Sequence, residues 1–178
     1  MQLNSTIAVC FPRRSWPLLA HLQKLESLCL DANSISDSAL QYFGGFPLLH
    51  TLSLPKTKIS GDGVNHLENL TKLLTLDLES AKVTNGGLTN IGNLNSLISL
   101  NIADGANIDD AGLAHLAGLT KLKKLFAQRN PDITDEGMKH LQGMQAFDLR
   151  KMKATPTGSD RNSRSVPPFC AGYKSFDS

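Results

Sequence analysis

The phrase ANIDDAGLAHLAGL at residues 106–119 returns as PDITDEGMKHLQGM at residues 131–144. Fainter copies precede it. Aligned on L-x-x-L-x-L, then a polar turn, then I-x-x-x-x-L-x-x-L-x-x-L, units begin at Leu25, Leu49, Leu73, Leu97 and Leu122. The steps are 24, 24, 24 and 25 residues. A fixed period in this range marks an array in which each unit stacks on its neighbour. The function of such a chain is to be sought on a surface rather than in a pocket.

The pattern within a unit has a local reading. Alternation around Leu28, Leu52, Leu76, Leu100 and Leu125 predicts a short strand with one buried face. The turn hands over to Ile35, Ile59, Val83, Ile108 and Ile133. Apolar residues then follow at spacings of five, three and three, which suits a helical turn. Ser36, Ser60, Thr84, Asp109 and Thr134 stand where that turn needs a polar cap. No unit can bury its own stripe, so stacking must do it. The chain draws its apolar content from 29 leucines and only 6% aromatic residues, and each internal leucine contributes about 1.5–3 kcal/mol on burial.

These motifs resemble the leucine-rich-repeat family in period and in the L-x-x-L-x-L phrase. The unit tails ITDEGMKHLQGM and IDDAGLAHLAGL are similar to the I-T-D-x-G-L subclass of F-box-type and bacterial repeat proteins. The resemblance implies an α/β fold: a curved solenoid with a short parallel β-sheet on its concave face and helices on its convex face. Residues 1–24 read as a degenerate N-terminal repeat or cap, with Phe11, Trp16, Leu19 and Leu22 in the slots of Ile35, Leu40, Phe43 and Phe46. Residues 25–150 hold the five repeats. Phe147 takes the slot of Leu122, but Arg150 takes that of Leu125, so the pattern stops there. Residues 151–178 are rich in Ser, Pro and basic residues without period and read as a disordered tail. Phe169, Cys170 and Tyr173 are its residues suited to folding back over the open end. Both ends depart from the family's capped pattern, which leads one to expect self-association or a fragment of a longer array.

Several function classes are disfavoured. Residues 1–150 carry 13 Lys/Arg against 14 Asp/Glu, a near-neutral body with no electrostatic reason to seek nucleic acid or an anionic membrane. Three widely spaced cysteines, Cys10, Cys29 and Cys170, give no pairing framework and point to a reducing compartment. With no apolar run long enough to span a membrane and no recognisable signal peptide, a cytoplasmic or intracellular location is expected.

Candidate chemistry dissolves into repeat punctuation. His21, His66, His115 and His140 share one slot, but only His115 and His140 lie in adjacent units, a poor zinc set. Asn33, Thr57 and Asn130 stand where a small polar residue bonds turn backbone. The acidic pairs Asp109-Asp110 and Asp135-Glu136 fall in helix first turns, where negative charge suits the dipole. Cys29 lacks a histidine partner. Neither catalysis nor a cofactor or metal is expected.

Individuality remains in the strand residues that flank the inner leucines. Alternation predicts an exposed ladder: Ser27, Cys29, Asp31; Thr51, Ser53, Pro55; Thr75, Asp77, Glu79; Ser99, Asn101, Ala103; Lys124, Phe126, Gln128. Pro55 fits only near a strand end, so the strand of its unit should be short. An aromatic beside a cation and near acids has the make-up of an interface anchor; the other reading of Phe126 is that it covers an open end or contacts the tail. The expected function is a non-catalytic module or scaffold binding an unidentified protein through the concave face. The candidate contacts are Asp31, Asp77, Glu79, Asn101, Lys124, Phe126 and Gln128. Alternatives are a substrate-recognition arm of a ubiquitin-ligase-type complex, and an extracellular sensor or adhesin repeat domain.

Overall fold

The structure, a computed structural model, describes residues 6–8, 22–30, 35–61, 63–141 and 146–148, the first and last of these segments as backbone alone. Seven parallel strands of three residues form one sheet in chain order. They are β1 Thr6–Ala8, β2 Ser27–Cys29, β3 Thr51–Ser53, β4 Thr75–Asp77, β5 Ser99–Asn101, β6 Lys124–Phe126 and β7 Ala146–Asp148. Leu28, Leu52, Leu76, Leu100 and Leu125 pair in register across β2 to β6, and all five are fully buried. These are the leucines that the repeat alignment placed in one slot.

The ladder outlasts the strands. Leu54, Leu78 and Ile102 each donate a backbone N–H to the next strand at 2.8 Å. Two residues on, Lys56, Ser80 and Asp104 do the same at 2.7 to 2.9 Å. These three, with Arg129 in the equivalent slot, have φ between 55° and 63°, a left-handed conformation that costs a non-glycine residue about 1–2 kcal/mol. That bend turns the chain from sheet to convex side. Behind the turn, single parallel bridges join Ser36 to Lys58, Ser60 to Lys82 and Asp109 to Asp132.

The convex side carries α1 Asp37–Leu40, α2 Asn85–Ile91, α3 Asp110–Ala114 and α4 Asp135–Met138, with 3-10 turns at Phe43–Gly45 and Gly63–Leu67. The spacing of five, three and three is buried as read: Leu40, Phe43 and Phe46, then Val64, Leu67 and Leu70, then Leu88, Ile91 and Leu94. The Phe43 and Phe46 rings lie 5.8 Å apart. Such short helices are not stable alone; their apolar stripe against the sheet holds them.

Successive units are tied at their helix starts. Asp110, the first residue of α3, accepts from Thr134 N at 2.7 Å and Thr134 Oγ1 at 2.6 Å in the next unit. Asp37 accepts from Ser60 N and Oγ at 2.8 and 2.6 Å. Asn85 Nδ2 donates to Asp109 Oδ1 at 2.7 Å, and that same oxygen accepts from the amides of Ala111 and Gly112. The recurrent glycine follows from this. A Cβ on Gly63, Gly112 or Gly137 would collide with the side chain of Asp37, Asn85 or Asp110. In the remaining unit the slot is Gly61, which has no side chain to reach Thr84. There the Gly61 and Gly87 backbones come close together, and Asn90 Nδ2 donates to Gly61 O at 3.2 Å.

At both ends the sheet runs on by one strand, with a changed step. Counting 24 residues back from Leu28 lands on Asn4, yet the sheet pairs Ile7 with Leu28. Forward, the repeat register sets Phe147 in the slot of Leu122, whereas it pairs with Leu125. Units 21 and 22 residues long shift the phase, and pattern matching at constant period loses the thread.

Candidate partner-binding face

The side chains on the concave face fall into three rows. The first row is partly open: Ser27, Thr51 and Thr75 are half-buried, and Lys124 is exposed. The second, which pairs in register as Cys29, Ser53, Asp77, Asn101 and Phe126, is not. Exposure falls to 6%, 2%, 5%, 1% and 3%. The expectation of an exposed ladder is corrected here. Alternation assigns a side chain to a face of the sheet, but it carries no information about what covers that face. In the third row Pro55 and Glu79 are half-buried, while Ala103 and Gln128 are buried.

Asp77 sits at the centre. Its Oδ1 accepts from the Glu79 amide at 3.1 Å and its Oδ2 from Ser53 Oγ at 3.1 Å. Burial raises its pKa above the ordinary carboxylate value, against hydrogen bonds from Glu79 and Ser53 that favour the charged form. Asn101 repeats the turn bond, its Oδ1 accepting from the Ala103 amide at 3.1 Å. Pro55 occupies the same slot in the unit before and has no N–H, so Ser53 needs no such bond and turns its hydroxyl to Asp77. Pro55 thus stands past the end of a strand that has the same three residues as the others, between the ladder donors Leu54 and Lys56, where its missing N–H costs the ladder nothing.

Two polar atoms on this face have no hydrogen-bond partner although they are buried: Asn101 Nδ2 and Gln128 Oε1. Asn101 lies close enough to favour the charged form of Asp77, yet its amide completes no hydrogen bond there. A buried donor or acceptor left unmade costs about 1–3 kcal/mol. One needs an acceptor and the other a donor.

Of the candidate contacts, the structure brings Asp77, Asn101, Phe126 and Gln128 into the covered middle of the face and leaves Lys124 open at its edge. Glu79 stands on the rim and is engaged: Arg129 Nη2 donates to its Oε1 at 2.9 Å, and Arg129 Nε lies 3.6 Å from Asp104 Oδ1. Arg129 was not singled out from sequence, because its partner lies two units away. Asp31 is outside the described residues. The scaffold slot behaves as expected: Thr57 Oγ1 donates to Leu54 O at 2.8 Å, and Asn130 Nδ2 donates to Ile102 O and Ala127 O at 2.9 Å.

Cys29 differs from expectation in another respect. It is disulfide-bonded, where the odd count and wide spacing had implied thiols. Cys10 and Cys170 lie outside the described residues. Among the described residues no group of three His, Cys, Asp or Glu is placed to hold a metal, and no helix is long and apolar enough to cross a membrane.

No protein-family model matches the chain, and no curated protein matches it in sequence. Solved structures do. The chain is similar to internalin C2 of Listeria monocytogenes, with 25% identity and a TM-score of 0.64 over 79% of this chain and 58% of that one. It is similar also to an internalin, InlF, of the same organism, with 24% identity and a TM-score of 0.56 over 77% of this chain and 45% of that one. The chain thus spans less than two thirds of either. Internalins are leucine-rich-repeat proteins, and the likeness with the seven-stranded sheet shows a curved α/β leucine-rich-repeat solenoid.

Proposed function

We propose that this chain is a non-catalytic interaction module that binds a protein through the concave face of its solenoid. One observation carries the reading. Asn101 Nδ2 and Gln128 Oε1 are buried on that face with their hydrogen bonds unmade, and an extended peptide backbone offers both an acceptor and a donor. Around them stand Asp77, the Glu79–Arg129 pair and exposed Lys124, charges that select among partners more than they add affinity. Asp77 accepts from Ser53 Oγ and the Glu79 amide, bonds that tie it to the neighbouring strand and to its own turn. The near-neutral body supports a protein partner over nucleic acid or membrane, a second copy of the chain included.

The I-T-D-x-G-L reading of the repeats is supported by the collision each glycine avoids with Asp37, Asn85 or Asp110. It is also what keeps a recognition arm for ubiquitin ligation in view. The extracellular sensor or adhesin reading gains from the disulfide at Cys29, since oxidising compartments sustain such bonds. That bond removes one support of the intracellular placement.

The test is affinity capture from native lysate with wild type and a Glu79→Lys, Lys124→Glu double variant, each first matched for folding by circular dichroism. A protein captured by wild type and lost from the variant supports the face as the binding site. Identical capture by both would turn attention to the convex helices.

A further inference from the structure

The turns that carry the chain from the sheet to the helices form one flank of the solenoid, and backbone bonds fix its rungs. Lys58 N donates to Ile35 O at 2.8 Å, Lys82 N to Ile59 O at 2.9 Å and Ala106 N to Val83 O at 3.0 Å. Asp132 keeps the corresponding place through its bridge to Asp109. Ile59, Val83, Ile108 and Ile133 are buried behind the flank. The residue before each, Lys58, Lys82, Asn107 and Asp132, is exposed. These four make one outward column, a unit apart.

The sign of the flank inverts along the array. The units that start at Leu49 and Leu73 present Lys56, Lys58 and Lys82, all exposed. The units that start at Leu97 and Leu122 present exposed Asp104 and Asp132, with Asp135 half-buried beside them. Among the described residues none of the three lysines forms an ion pair. Glu79 and Arg129, which have the wrong sign for their halves, are paired with each other.

We propose that this flank is a homodimer surface, on which a second copy of the chain docks end for end with Lys58 of each copy against Asp132 of the other. A patch that is positive at one end and negative at the other is complementary to itself when reversed. An isologous contact requires that, because a two-fold axis sets the same surface of both copies face to face. With the axis between the Lys82 and Asn107 rungs, Lys82 faces the unit that carries Asp104, and each pairing occurs twice.

A partner of a single sign fits this flank poorly, since nucleic acid or an anionic membrane would meet three lysines and then be repelled by the acidic half. The proposal goes beyond the concave-face reading and does not depend on it. The flank follows the strand ends, whereas Lys124 begins its strand, so the open first row stays clear. Three strand spacings, about 14 Å, separate the outer rungs. A contact that short, made by exposed charges, is weak and sensitive to salt.

Sedimentation velocity of the full chain over a range of concentrations in low-salt buffer is the experiment. Wild type should show a monomer–dimer equilibrium, weakened roughly tenfold or more in 1 M salt, where the screening length is about 3 Å. Lys58→Asp and Asp132→Lys should each be monomeric at concentrations where wild type is dimeric. Mixing those two variants restores both pairings in a heterodimer, and combining them in one chain restores both in a homodimer. Both positions are exposed, and circular dichroism checks that each variant folds. A wild type that stays monomeric overturns the proposal and leaves the flank to another partner. It is overturned equally by a dimer that Lys58→Asp leaves intact, or by single variants that stay apart when mixed. None of these results touches the capture comparison at Glu79 and Lys124, so the two readings fail separately.

Discussion

The Asp110 carboxylate closes two hydrogen bonds on Thr134, to its amide at 2.7 Å and its hydroxyl at 2.6 Å, so the start of one helix is capped by the helix before it. Asp110→Ala leaves both donors without that acceptor and should cost about 1–3 kcal/mol. Chemical denaturation measures it. A loss within 0.3 kcal/mol, roughly the additivity error of such measurements, would mean that water replaces the cap fully.

The glycine slot predicts a non-additive pair. Gly112→Ala alone drives a methyl into Asn85 and should cost about 1–3 kcal/mol. With Asn85→Ala the nearest obstruction is gone, leaving Leu88 Cδ1 at 3.0 Å, and the double variant should be more stable than the sum of the singles predicts. Simple additivity would show that Asn85 is not what excludes the side chain.

Asp77 sets one pH dependence. Its folded pKa is raised by burial, so its contribution is fully present below the ordinary carboxylate value of 3.8 and is lost as pH rises through the raised one. Asp77→Asn keeps the Glu79 bond and removes that loss. Melting curves should show the variant gaining on wild type from acid to neutral pH. A gap independent of pH would refute the assignment.

Asp109 has the opposite sign. Bonds from the Gly112 amide, the Asn85 side chain and the Ala111 amide hold its pKa down. Its stabilisation is present above the ordinary carboxylate value and is lost as pH falls through the lowered one. Asp109→Ala should cost about 0.5–2 kcal/mol at neutral pH, with the difference from wild type shrinking in acid. The same melting series reads it.

Core and rim should separate cleanly. Leu100→Ala removes a fully buried side chain and should cost about 2–5 kcal/mol. Arg129→Ala breaks a pair whose partners are 38% and 33% exposed and should change stability by about 1 kcal/mol or less. Equal losses at the two positions would mean that the rim network is structural.

The period, the leucine slots, the convex spacing and the Asn130 scaffold role were legible because each repeats a physical demand once per unit. β1 and β7 were not, because their units change length and slide the register. The state of the concave face was also out of reach. Alternation set Asp77, Asn101 and Phe126 on one side of the sheet, but their accessibility depends on something from outside that pattern. Arg129 shows a further limit. Its pairing with Glu79 spans 50 residues, and neighbouring-unit comparison has no term for it.

The bare slot at Gly61 has a mechanical meaning. Elsewhere a carboxylate or amide reaches from one helix start to the next, but on the convex side the start of the Gly63–Leu67 turn meets the start of α2 through two glycine backbones and the bond from Asn90. Under tension applied from its two ends, the array is a row of riveted plates with one rivet replaced by a press fit. It should open there first on the convex side, while the β3–β4 ladder and the Ser60–Lys82 bridge still hold the two units together.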